Sequence, residues 1–131
     1  MSLASLAEVA RRDVPRPDRI VVIGGSPRTL DVLRIAVIRS DDVVLFVDHL
    51  EAPVRRFTDM FALEVRQRRA AAVDFAEASA ILVAAGAPEV ENWVVRNARR
   101  RNIPVHVADR PLVSDFTLIE LVERHPSTIA A

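Results

Sequence analysis

The chain has 131 residues and a mass of 14.5 kDa, the size of one domain around a single core. Eighteen basic residues balance eighteen acidic ones and half of all residues are hydrophobic, so no net charge draws the protein to nucleic acid or membrane. All the basic residues are arginine, which excludes lysine chemistry, and the lack of cysteine excludes disulfides, thiol catalysis and zinc–thiolate sites.

The longest apolar runs are too short to span a bilayer, and residues 1–18 have no signal-peptide core, so a cytoplasmic location is expected. Residues 1–12 have the spacing of a short amphipathic helix on Leu3, Leu6 and Val9, and Val14-Pro15-Arg16-Pro17 breaks it. The domain proper is expected over residues 19–131, behind an N-terminal helix and linker over 1–18. Its first strand is Arg19–Ile23. A helix follows over 27–40, with Leu30, Leu33 and Val37 on one face, widened by Ile35, Ala36 and Ile38. Asp41-Asp42 makes a turn into Val43-Val44-Leu45-Phe46-Val47, a strand covered on both faces.

Past Pro53 the spacing of Val54, Phe57 and Met60 or Phe61 predicts a helix over 52–64, and a weakly signalled strand follows at 65–68. Residues 70–78 read as a helical turn. Ala80–Ala85 is a clear strand, Pro88 opens a helix over 88–101 that Asn102 ends, and 103–108 is a further strand. This alternation predicts an α/β, Rossmann-like fold with a mostly parallel twisted sheet and helices on both faces. Residues 116–123 and 127–131 read as a closing antiparallel strand pair about His125-Pro126, whose exposed edge invites pairing of two copies into a homodimer.

The glycines are the sharpest functional signal. Only three exist; Gly24 and Gly25 close the run Ile20–Ile23, with Ser26-Pro27 directly behind, and Gly86 closes Ile81–Ala85. A buried strand ending in glycine ahead of a helix is the phosphate-binding edge of a dinucleotide fold. The expected ligand is a dinucleotide, with Gly24, Gly25, Ser26, Pro27 and Gly86 at its site. Asp48, ending the second strand, stands where a carboxylate accepts the adenosine ribose hydroxyls; a solvated turn residue fits it equally. Ser26 replaces the glycine that lets backbone approach pyrophosphate, and it either caps the helix or offers its hydroxyl to phosphate. Thr29 stands where a third small residue lets helix and strand pack closely.

The last third carries a family resemblance. Ile103-Pro104-Val105-His106-Val107-Ala108-Asp109, then Pro111 and Phe116, then Glu123-Arg124-His125-Pro126, resemble the N-terminal domain of sirohaem synthases. These are NAD-dependent precorrin-2 dehydrogenases, some doubling as sirohydrochlorin ferrochelatases. The opening strand and glycine turn fit as well, so the resemblance spans residues 19–131. It implies NAD as the cofactor, oxidation of precorrin-2 to sirohydrochlorin, a tetrapyrrole substrate, and Asp109 in the place of the catalytic aspartate. A carboxylate at the end of a parallel strand faces the ligand crevice and can accept a proton, a role that partial burial favours. The competing reading is that Asp109 caps the turn ahead of Pro111.

The resemblance has departures. The family's third consecutive glycine is Ser26 here, and family members continue past the strand matching 127–131 where this sequence stops, as in a shortened relative or a fragment. The alternative function is therefore a non-catalytic nucleotide-binding or regulatory Rossmann module, since fold alone does not select between the two. The remaining candidates are weaker. His106 lines the pocket near Asp109 or packs within its strand, His49 is a surface residue, and no histidine pair has metal-ligand spacing. Glu91 and Asn92 receive no role, and Trp93 packs its helix or covers a partner. The arginines at 66, 68, 69, 96, 99, 100 and 101 read mainly as solvated charge. Those near the crevice suit a polycarboxylate macrocycle.

Overall fold

The structure is a computed structural model that describes residues 19–123. The expected helix over 1–12 and strand over 127–131 lie outside the described residues. Five parallel strands form one sheet in the order β3-β2-β1-β4-β5: β1 Arg19–Ile23, β2 Asp42–Phe46, β3 Glu64–Arg66, β4 Ala80–Val83 and β5 Val105–Val107. The helices between them are α1 Thr29–Arg39, α2 Ala52–Met60 and α3 Pro88–Arg100, with α4 Leu118–Glu123 at the end.

Alternation along the strands divides the core in two. In β1, Ile20 and Val22 face one side with Val43 and Leu45 of β2 and Leu82 of β4; there Val32, Leu33 and Ala36 of α1, Val54 of α2 and Leu121 of α4 cover them. Val21, Ile23, Val44, Phe46, Ile81 and Val83 face the other side, under Val94, Val95 and Ala98 of α3 and the buried ring of Phe75. Central strands buried on both faces account for the unbroken Val/Ile/Leu runs. The single-turn helix Ala72–Phe75 supplies Phe75, whose ring meets Trp93 at 5.8 Å between centroids.

Two helices end on left-handed residues. Ala62 (φ 51°) follows α2, with the Leu63 N–H donating to Thr58 O, and Asn102 (φ 55°) follows α3, with the Ile103 N–H donating to Ala98 O. These are six-to-one closures that satisfy otherwise orphaned carbonyls. They stop α2 at Met60, short of the expected residue 64, and leave β3 at 64–66 rather than 65–68.

The first strand of the expected antiparallel pair is not a strand. Residues 118–123 form α4 because Thr117 and Glu120 make a reciprocal cap: the Glu120 N–H donates to Thr117 Oγ1 and the Thr117 N–H to Glu120 Oε1, both at 3.1 Å. The outer edge of β5 is closed instead by the loop between β5 and α4. The Val105 N–H donates to Asp115 Oδ2 (2.9 Å), the Asp115 N–H to Val105 O (2.8 Å) and the Val107 N–H to Ser114 Oγ (2.9 Å). The expected pairing of two copies rested on the terminal strand pair, of which 118–123 is helical and 127–131 lies outside the described residues.

Candidate nucleotide-binding site

The sheet order changes direction at β1 and β4, so the loops leaving them part to form a crevice at the C-terminal edge. Gly25 (φ +136°) turns the chain where a side chain would press on the Ala85 carbonyl at 3.2 Å. Gly86 (φ +71°) lets the β4 loop pass beside Ser26, whose Cβ lies 3.0 Å from where a Gly86 Cβ would be. The third glycine answers Thr29: a Cβ on Gly24 would sit 2.9 Å from Thr29 Cγ2 and 2.8 Å from Val47 Cγ1. Thr29 thus fits at the helix start because Gly24 makes room for it.

The backbone donors of this turn are spent within the protein. The N–H of Gly24 donates to Phe46 O, that of Gly25 to Thr29 Oγ1 (3.0 Å), and that of Ser26 to Ala84 O (2.8 Å). The Arg28 N–H donates to Ser26 Oγ (3.1 Å) and the Thr29 N–H to Ser26 O, while Pro27 has none to give. Ser26 therefore caps the turn into α1, and its hydroxyl accepts from backbone.

Two clefts meet at this turn. The first, about 780 Å³, is lined by Gly24, Gly25, Asp48 and Ala85, by Arg68 and Arg69 after β3, and by Val90, Trp93 and Arg96 of α3. Its apolar walls and the Asp48 carboxylate at the β2 exit, with Glu89 on the α3 side, suit an adenosine whose ribose hydroxyls donate to a carboxylate. Arg68 is fixed: its guanidinium lies 5.2 Å from the Phe46 ring centroid and grips both Asp74 oxygens at 2.8 and 2.9 Å. The Arg68 hydrogen bonds hold the Asp74 carboxyl below the usual carboxylate range, against the opposing effect of burial.

The second cleft, about 370 Å³, lies between the starts of α1 and α3 and the turn after β5. Ser26, Pro27, Arg28, Gly86, Asp109 and Arg110 line it. Asp109 itself adopts a left-handed backbone (φ 64°), which aspartate tolerates better than most residues. Its carboxylate is 66% exposed, without the partial burial that would favour a proton acceptor, and Oδ2 accepts from Arg28 Nε at 3.2 Å. Arg28 Nη1 also donates to Asp31 Oδ2 at 3.3 Å. The bond to Asp31 and then that to Asp109 raise the guanidinium pKa further above its ordinary value. On the opposite wall Arg110 donates to Glu91 Oε1 (3.0 Å) and Asn92 Oδ1 (3.2 Å), and the Glu91 side chain is only 9% exposed.

Every residue expected at the site lies along this edge, divided between the two clefts. Gly24, Gly25 and Asp48 line the first; Ser26, Pro27, Gly86 and Asp109 line the second. His106 lines neither: its Nδ1 bonds the Phe116 carbonyl at 2.9 Å and its ring lies against Phe116. His49 is exposed, as expected. Arg28, Glu91 and Arg110 receive no role from sequence, because the Arg28–Asp109 and Glu91–Arg110 pairs are joined only by the fold. A lone arginine directly behind Ser-Pro at a glycine turn was the available signal for Arg28.

Residues 15–119 match a protein family described as putative NAD(P)-binding, and the chain belongs to that family. Its fold is that of a solved structure titled SirC, precorrin-2 dehydrogenase, with a TM-score of 0.63 at 13% sequence identity. The match covers 76% of this chain and 47% of SirC, so this sequence spans about half the length of that relative. No curated protein matches the sequence. Among the described residues no helix is long and apolar enough to cross a membrane.

Proposed function

We propose that the protein is an NAD-dependent dehydrogenase domain of the precorrin-2 dehydrogenase type, oxidising precorrin-2 to sirohydrochlorin. The observation that carries this reading is convergence. The glycine turn, the Asp48 carboxylate and the Asp109 carboxylate line two clefts that flank the same turn on one edge of the sheet, and Asp109 stands within hydrogen-bond reach of Arg28 at the helix start.

The residues present fit a dinucleotide, with one modification. Asp48 would hold the adenosine ribose, which favours NAD over its 2′-phosphorylated form, and Val90 and Trp93 would cover the base. The phosphate charge meets few free backbone donors at the turn, so a side chain must answer it. When bound, the nicotinamide accepts the hydride. Asp109 then takes the proton that the macrocycle loses with it. Arg110, held by Glu91 and Asn92, fixes the turn that carries Asp109, which keeps the carboxylate at the mouth of the second cleft.

The test is turnover. The chain mixed with precorrin-2 and NAD should yield sirohydrochlorin absorbance and NADH together, and Asp109→Asn should lose both while still binding NAD. A second reading, a non-catalytic nucleotide-binding module, draws support from the exposure of Asp109 and its engagement by Arg28. NAD binding by the wild-type chain without any turnover would decide for that second reading.

A further inference from the structure

We propose that Arg28, rather than the backbone of the glycine turn, receives the dinucleotide's phosphates, and that it does so by leaving Asp109, so that nucleotide binding releases the Asp109 carboxylate into the second cleft. This rests on the nucleotide-binding reading above and adds to it a phosphate ligand and a coupling.

Three observations point the same way. First, a dinucleotide turn ordinarily offers backbone N–H groups to phosphate. Here those of Gly24, Gly25, Ser26, Arg28 and Thr29 are all donated internally. Second, the turn is flanked by two exposed carboxylates, Asp31 in the first turn of α1 and Asp109 across the cleft, which would repel phosphate if nothing stood between them. Third, Arg28 does stand between them, 55% exposed, bonded once to each at 3.3 and 3.2 Å. Its Nη2 group has no partner among the described residues. The other cation of this cleft, Arg110, is committed to buried Glu91.

The exchange follows from the strengths involved. A single-contact ion pair between two exposed side chains contributes little, while a guanidinium fork on the pyrophosphate forms two charge-assisted bonds to a group that carries two negative charges over its two phosphates. Arg28 therefore gains by turning to phosphate, and Asp109 loses its only ion-pair partner described here. The arginine thereby links occupancy of the first cleft to the state of the carboxylate in the second.

Calorimetric titration of the full chain with NADH, and separately with adenosine, tests this. Arg28→Gln should weaken NADH binding about tenfold or more and leave adenosine binding unchanged. Asp109→Asn should tighten NADH binding about two- to fivefold by freeing the arginine. The double variant should match Arg28→Gln within about twofold, because the gain from Asp109→Asn requires Arg28. Arg28 is exposed, so folding should survive, and Arg28→Lys should recover part of the loss. NADH binding that is indifferent to Arg28→Gln, or not improved by Asp109→Asn, overturns the inference alone. Absence of NADH binding by the wild-type chain overturns the nucleotide-binding reading and the inference together.

Discussion

The Thr29 hydroxyl accepts the Gly25 N–H at 3.0 Å and donates to the Ser26 carbonyl at 2.7 Å. One buried side chain thus closes the glycine turn on itself. Thr29→Val keeps the shape but leaves the Gly25 N–H and the Ser26 carbonyl each short of a partner. The expected loss of stability is about 1–3 kcal/mol, measured as a shift in urea midpoint. Thr29→Ser, which keeps the hydroxyl, should recover most of it.

Gly24→Ala tests the other side of the same contact. Its methyl would fall 2.8–2.9 Å from Val47 and Thr29 side-chain carbons, so overpacking should destabilise the fold by about 1–3 kcal/mol. Combining it with Thr29→Ser, which removes one of the crowding methyls, should cost less than the sum of the single changes. Strict additivity in urea unfolding would contradict the proposed contact.

Asp115 closes the free edge of β5 by accepting the Val105 N–H. Asp115→Ala should cost about 1–3 kcal/mol and raise amide exchange at Val105. It should also promote self-association at high protein concentration, because an uncovered edge pairs with its copies. Light scattering unchanged from wild type, with Val105 still protected, would show that the loop closes the edge without this side chain.

The Asp74 carboxyl titrates lower in the folded protein than its ordinary value, because Arg68 grips both oxygens. A depressed folded-state pKa gives stability that is complete above the unfolded value, about 4, and is lost as pH falls through the folded one. The stability difference between wild type and Asp74→Asn should therefore be largest near neutrality and shrink below about pH 4. A difference that stays constant down to strong acid would exclude this pair as the source.

Much of the fold was legible in the sequence because parallel strands buried on both faces leave unbroken apolar runs. Ile20–Ile23, Val43–Val47 and Ile81–Ala85 announced the three central strands, and the glycines after two of them marked the crevice. The Leu118–Glu123 segment was misread because β-branched and apolar residues outweighed the Thr117–Glu120 cap, a signal that was present. Two properties of the site had no local signature. The spending of the turn's N–H groups depends on Thr29 folding back four residues and on carbonyls of neighbouring strands. The Arg28–Asp109 pair joins residues 81 apart, and only the strand order brings them together.

The central claim is that a dinucleotide lies across the β1–β4 edge with its adenosine half in the larger cleft. Trp93, the single tryptophan of the chain, lines that cleft and reports on it directly. Titration with NADH should quench Trp93 emission and sensitise NADH emission, both saturating together. Tryptophan emission unchanged up to millimolar NADH, with no sensitised signal, would contradict it.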